Sequence, residues 1–164
     1  MREIIKSQLL AALATLNQCV SNCTDKEWNE SHGDAPFSQV LFHTLFFLDY
    51  NLSPDAESFK AQQFHKDHKS IFRDYEELVD KEAQEIYTKD EIGVYLNFCR
   101  EKIESFYAAI KAADFLEKTK HRDMTYLELA IYCTRHIQHH AAQLGLRLQL
   151  LSGNELKWVS RGWV

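Results

Sequence analysis

Helix-breaking residues are scarce in this chain, which has only five glycines and two prolines among its 164 residues. Because glycine and proline interrupt helices, their scarcity favours an all-α fold with few, long helices. Hydrophobic residues make up 45% of the chain, which is a globular composition with enough length for one hydrophobic core. We therefore expect a single domain that spans residues 1–164.

A basic cluster is also missing. The formal net charge is −5, and the basic residues are scattered among acidic ones. Because nucleic acids and acidic membrane surfaces both require clustered positive charge, we expect neither of them as a partner. No apolar run is long enough to span a membrane, and Glu3 lies where a signal peptide would need positive charge.

The cysteine pattern lacks any Cys-x-x-Cys pair. Four cysteines spaced in this way are typical of reduced, partly buried thiols, so we expect a cytoplasmic protein without disulfides. The four residues are Cys19, Cys23, Cys99 and Cys133.

Apolar residues recur at helical spacing in four long segments, which predict helices over residues 2–21, 37–52, 88–113 and 126–151. The last two begin at Thr-x-x-Glu capping boxes, and Gly153 stands just beyond the fourth helix. Four long helices predict a four-helix bundle. The connection between the second and third helices is the longest, with one or two short helices expected in it, and permits these helices to run parallel in a down-up-up-down order.

Two further segments carry tryptophans. Residues 22–35 are polar and predict a loop, in which we expect Trp28 to pack back onto the bundle. The C-terminal tail contains Trp158 and Trp163, so we expect it to dock onto the helices. This apolar tail and the large number of aromatic residues also predict a homodimer.

A histidine pair in the fourth helix is the strongest functional signal. His136 and His140 are four residues apart, a spacing that places two side chains on one helical face, where they can hold one metal ion. Such a site needs a third ligand from elsewhere. The best candidate is His43, because it lies in the most apolar predicted helix, where an imidazole without a partner would be unfavourable.

The other histidines have weaker claims. His139 lies on the flank of the face that carries the pair, so we expect it on the solvent side or behind a ligand. His65 and His68 are predicted to be surface residues, and His32 and His121 lie in predicted loops.

Several catalytic motifs are absent. Ile137 occupies the position of the general-base glutamate in His-Glu-x-x-His, and no Glu-x-x-His pair points at this face. The sequence also has no Gly-x-Ser-x-Gly elbow, phosphate-binding loop or dinucleotide fingerprint.

One histidine in the second helix, followed by His-x-x-x-His and a nearby glutamine in the fourth, resembles the DinB-like superfamily of metal-binding four-helix bundles. The resemblance places the ligands at His43, His136 and His140, and it prefers His140 to His139. Ala141 and Ala142 stand where many members have Arg-Gly. For enzymes of this group the resemblance implies hydrolysis or transfer of a low-molecular-weight thiol.

Three neutral imidazoles would leave a divalent ion, with zinc or nickel the first candidates, open to water or to a small-molecule substrate such as a thiol. Residues in phase with the ligands are expected to line the substrate pocket, and these are Tyr50, Gln143 and Cys133. The first hypothesis is therefore a metal-dependent hydrolase or thiol transferase. The alternatives are a non-catalytic metal-binding or stress-response protein, and a purely structural bundle whose histidines are satisfied internally.

Overall fold

The computed structural model describes residues 1–30, 35–73, 86–120 and 122–163. In these ranges the chain forms helices and no strand, with one isolated bridge between Lys118 and Thr125, so the all-α prediction is confirmed. The elements are α1 (Arg2–Asn22), α2 (Asp25–Trp28), α3 (Phe37–Asn51), α4 (Ala56–Lys60), α5 (Gln63–Asp67), α6 (Lys89–Ala109), a 3₁₀ helix (Ala112–Leu116) and α7 (Tyr126–Ser152).

Capping residues start and stop the long helices where the sequence predicts. At the start of α6 the Thr88 hydroxyl accepts from the Glu91 amide, and the Glu91 carboxylate accepts from the Thr88 amide. An equivalent capping box starts α7, and Gly153 ends it with a left-handed φ of 74°. A third capping box, at Thr24, starts the short helix α2 inside the segment that the sequence predicts to be a loop.

Helix α6 ends at Ala109, four residues before its predicted end. Ile110 is extended, with φ −92° and ψ 121°. The Arg2 guanidinium donates to the carbonyl oxygens of Tyr107 and Ile110, at 2.7 and 3.0 Å. These contacts satisfy carbonyls that the helix end leaves without intrahelical partners, so a residue distant in sequence stabilises the early stop.

Each long helix packs against two others, since α1 and α3 both contact α6 and α7. Arg2 beside Ile110 brings the start of α1 to the end of α6, so these helices are antiparallel. The side chain of Asn154 donates to the Asn22 carbonyl, which brings the ends of α1 and α7 together. Arg147 donates to the Ala35 carbonyl and makes α3 antiparallel to α7. These directions are compatible with the down-up-up-down order, which remains a prediction.

The core between these helices contains buried apolar side chains from all four of them. Trp28 belongs to this core as predicted, 4% exposed, and donates from its indole nitrogen to the Tyr87 carbonyl at 2.6 Å. Among the described residues, no helix combines the length and apolarity needed to cross a membrane.

The C-terminal tail docks along α1, as expected. The Gly162 amide donates to the Ser7 carbonyl at 3.0 Å, and the Lys157 amide donates to the Gln18 side chain at 2.7 Å. Trp163 packs against the core beneath the Arg100 guanidinium. Trp158 is the exception, because its side chain is 86% exposed.

Candidate metal centre

The three predicted ligands meet at the interface of α3 and α7. His43 comes from α3, and His136 and His140 come from successive turns of α7. Each offers one ring nitrogen, and the three nitrogens lie within 4.8 Å of one another. The antiparallel packing of the two helices therefore brings together ligands that are about a hundred residues apart in sequence.

Burial of the neighbouring residues determines the position of this group. Phe42 precedes His43 and is fully buried, while Ile137 and Ala141 follow the two α7 ligands and are also fully buried. The histidines lie next to these core positions, at the edge of the packed face, and are themselves half-buried. At this position the three imidazole rings are partly shielded from solvent but remain accessible to small molecules.

Electrostatics keep one of these imidazoles neutral. Burial, and then the neighbouring His140, His43 and His139, lower the pKa of His136 to about 3. A neutral ring retains the lone pair that a metal ion requires. His136 is therefore prepared for ligation at neutral pH.

The ring orientation of His140 is set by Gln143. Nδ1 of His140 lies 3.0 Å from Oε1 of Gln143. Because an amide oxygen only accepts, Nδ1 carries the proton and Nε2 is left as the ligand atom. Gln143, which the sequence predicts to line a substrate pocket, thus also orients the metal ligand His140.

The donor set fits a divalent metal ion. Metal–imidazole bonds of about 2.0–2.1 Å place the nitrogens of three ligands on one tetrahedral ion about 3.4 Å apart. The three ring nitrogens lie within 4.8 Å of one another, so ring rotations with small helix adjustments would bring them around an ion. In the described parts of the chain, no carboxylate oxygen or cysteine sulfur joins the group within that limit.

A sequence model of the DinB superfamily matches residues 8–144. The chain belongs to the DinB superfamily. The match covers all three histidines and most of the four-helix core. No curated protein and no solved structure matches the chain. Family membership therefore supports a metal-binding bundle, whereas the reaction has to be argued from the site itself.

Aromatic side chains border the centre of this DinB-superfamily protein. Phe47 packs against His43 and His136, with ring centroids 4.8 and 6.0 Å apart. Tyr132 lies parallel to His136, with centroids 6.2 Å apart and planes 3° apart. Tyr132 was not among the predicted pocket residues, although its position four residues before His136 places it on the same helical face. An open concavity of about 520 Å³ adjoins this face and is lined by Tyr132, Arg135, His136, Gln138 and His139.

The predicted pocket residue Tyr50 lies further along the α3–α7 interface. Its ring packs against Phe59, with centroids 5.3 Å apart. The guanidinium carbon of Arg122 lies 5.4 Å from the Tyr50 centroid and 6.0 Å from the Tyr132 centroid. Arg122 belongs to the connection before α7 and carried no sequence signal. Substrate binding by Tyr50 remains a prediction.

Cys133, the third predicted pocket residue, lies in the core and is 1% exposed. Burial raises the pKa of its thiol to about 12, although Arg122 and Asn51 partly oppose the shift. Substrate contact by this thiol remains a prediction, and its burial argues against it. Cys19, Cys23 and Cys99 are also free, and all four cysteines are more completely buried than expected.

The other histidines, apart from His65, divide into three groups. His139 is exposed, with its ring centroid 5.0 Å from that of His140, and it is not part of the ligand group. His68 is half-buried and stacks on Phe64 at 4.2 Å. His32 and His121 lie outside the described residues.

The prediction that His65 is a surface residue is wrong. His65 is only 6% exposed, and its ring stacks on Phe72 at 3.8 Å. Its Nε2 lies 2.8 Å from Oδ2 of Asp49. The connection after α3 folds back onto the bundle, so a polar sequence segment supplies buried contacts.

Asp49 is the centre of a buried polar network that sequence reasoning missed. It is fully buried and accepts hydrogen bonds from the Tyr95 hydroxyl at 3.0 Å and from the Gln62 amide at 3.0 Å. Lys102 forms an ion pair with the same carboxylate. Burial alone would raise the pKa of Asp49, but the contacts from His65 and Lys102 outweigh it and hold the pKa below its ordinary value of 3.8. The network joins α3, α6 and the connection between them.

Proposed function

We propose that the protein is a metal-dependent enzyme that activates a small nucleophile at the centre formed by His43, His136 and His140. The observation that carries the proposal is the ligand set itself, which provides three imidazoles and no other protein ligand among the described residues. Structural zinc sites are usually closed by four protein ligands, whereas catalytic sites keep a position open. Zinc and nickel are the first candidates for the ion, because both suit imidazole.

A bound divalent ion would ionise a coordinated thiol or lower the pKa of a bound water. The chain contributes the geometry around that chemistry. Gln143 holds His140 in the tautomer that presents Nε2. Phe47 and Tyr132 contribute aromatic rings beside His136.

Of the two reactions, thiol transfer is better supported than hydrolysis. Hydrolytic sites commonly use a carboxylate within hydrogen-bonding reach of the attacking water as a general base. No carboxylate belongs to the described ligand group. Thiol transfer would not need this base, because an ion held by His43, His136 and His140 would favour ionisation of the thiol, whose proton would pass to solvent. Transfer would join the sulfur to an electrophilic carbon as the leaving group departs.

The same lack of a carboxylate base is compatible with a non-catalytic metal-binding protein, so turnover has to be measured. Protein reconstituted with zinc or nickel should conjugate small thiols such as cysteine to an aromatic electrophile faster than the metal-free protein does. The His136→Ala variant should lose both the metal and the activity. A metal-loaded protein that neither conjugates thiols nor cleaves simple esters would favour the non-catalytic alternative.

Homodimerisation remains a prediction. The exposed Trp158 and Leu150, 86% and 77% exposed, supply apolar surface near the end of α7 and support it. Light scattering tests it, since a monomeric mass would contradict a dimer. The cytoplasmic location and the absence of a nucleic-acid partner also remain predictions.

A further inference from the structure

A cation lies within about 12 Å of the His136 ring. Arg122 is half-buried, with its guanidinium over the rings of Tyr50 and Tyr132. Within the described residues it forms no ion pair. The adjacent carboxylate, Asp123, instead pairs with Lys118.

This arrangement leaves the guanidinium able to bind an anion. A guanidinium within cation–π distance of aromatic rings retains N–H donors that can match the two oxygens of a carboxylate. Partial burial strengthens such a charge-assisted hydrogen bond. The chain as a whole has a net charge of −5, so an anionic ligand would need a local cation of this kind.

Tyr132 links this cation to the metal centre. One neighbour of its ring is the Arg122 guanidinium at 6.0 Å, and another is the parallel ring of His136 at 6.2 Å. The guanidinium carbon is therefore at most about 12 Å from the centre of the His136 ring. A small molecule can span this distance, with one end at the three histidines and the other at Arg122.

We propose that Arg122, held by Tyr50 and Tyr132, binds the carboxylate of an acidic thiol whose sulfur reaches the three-histidine centre. This inference rests on the proposed function and adds the substrate class. It also gives Tyr50 a role, since its ring holds the guanidinium in place. Arg122 binds and orients the substrate and takes no part in proton transfer.

The test compares mercapto acids with mercapto alcohols of equal length on cobalt-substituted protein, where the thiolate-to-cobalt absorption reports sulfur binding. The acids are mercaptopropionate, mercaptohexanoate and mercaptooctanoate. For at least one length, the acid should bind about tenfold more tightly than the alcohol, the effect of one charge-assisted hydrogen bond. Arg122→Met should abolish this preference while the cobalt spectrum without thiol and the thermal midpoint remain unchanged.

Two other arginines provide controls. Arg100→Met removes a guanidinium that also lies over an aromatic ring, Trp163, at 5.1 Å, and should keep the preference for acids. Arg135→Met removes an exposed cation that lines the concavity beside His136. If the preference disappears in Arg135→Met and persists in Arg122→Met, the assignment to Arg122 is overturned. Equal binding of acids and alcohols by the wild type at every length overturns it as well.

A second readout separates this inference from the metal centre. The side-chain ¹⁵N resonance of Arg122, assigned by its loss in Arg122→Met, should shift when mercaptohexanoate is added to metal-free protein and stay unchanged with the alcohol. If cobalt does not bind but this resonance responds to the acid, the proposed function fails and the anion site stands. If cobalt binds and the resonance ignores every acid, the anion site fails and the metal centre stands.

Discussion

The imidazole rings of His43 on α3 and His140 on α7 meet edge to face, with centroids 5.0 Å apart and planes at 75°. His136 completes the group, at 5.4 Å from His43 and 4.7 Å from His140. One ring nitrogen of each histidine lies within 4.8 Å of those of the other two. The group therefore has the geometry of a ligand set.

Replacing His136 with alanine should lower the affinity for the metal ion by more than about 100-fold, since loss of a ligand exceeds the 10–100-fold effect of losing a residue that orients one. The helical content should stay close to that of the wild type, because His136 is half-buried at the edge of the core. Elemental analysis and far-ultraviolet circular dichroism measure the two effects. His139→Ala is the matched control and should retain the metal. Equal metal content in the two variants would contradict the three-histidine site.

Replacing Gln143 with alanine should weaken metal binding by about 10–100-fold, because Nδ1 of His140 loses the acceptor that fixes its orientation. Gln143→Glu should restore the affinity, since a carboxylate oxygen accepts the same hydrogen bond. Gln138→Ala, on the exposed side of the same helix, is the control. Competition titration with a chelator measures these affinities. If Gln143→Ala binds the metal ion with wild-type affinity, the hydrogen bond to His140 plays no role in metal binding.

Replacing Asp49 with alanine should lower the free energy of unfolding by about 3–5 kcal/mol, because Lys102 would remain partly buried without its counter-charge. Urea unfolding provides the measurement. Glu101→Ala, an exposed position on α6, should change stability by less than about 0.5 kcal/mol. A similar small change in Asp49→Ala would show that the network contributes little to the fold.

The same carboxylate makes stability depend on pH. The pKa of Asp49 lies below its ordinary 3.8 in the folded protein, so the unfolded chain takes up protons first as the pH falls. The stabilisation is complete above the ordinary pKa and is lost as the pH drops through the folded pKa. Urea midpoints from neutral pH to about pH 3 should therefore decline less steeply in Asp49→Asn than in the wild type. The control Glu101→Gln should show the same pH dependence of the urea midpoint as the wild type. If Asp49→Asn also shows the wild-type pH dependence, Asp49 is not the cause of it.

Cys133 should be inert in the folded protein. Burial raises its pKa to about 12, so almost none of it is thiolate at neutral pH. Iodoacetamide should label Cys133 only after urea is added, as mass spectrometry of the digested protein can establish. The Cys133→Ser variant should retain the metal. Rapid labelling of the native protein at this position would instead support the predicted contact with substrate.

Local patterns in the sequence predicted the features that depend on one helix at a time. The His136–His140 pair follows from helical periodicity, and the capping boxes at Thr88 and Thr125 follow from hydrogen bonds within four residues. The end of α6 was predicted four residues late, because Arg2, more than a hundred residues away, stabilises the stop at Ala109. Prediction was therefore best where the stabilising contacts are local.

By itself, the sequence determined an all-α chain with a histidine pair on one face of its last helix and one histidine in its most apolar helix. The tertiary structure alone decided which side chains surround that group, because burial and charge pairing depend on residues that are distant in sequence. His65 is buried against Asp49 because the connection after α3 folds back onto the bundle. Arg122 lies between Tyr50 and Tyr132, which come from two different helices, a contact that leaves no periodic pattern in the chain.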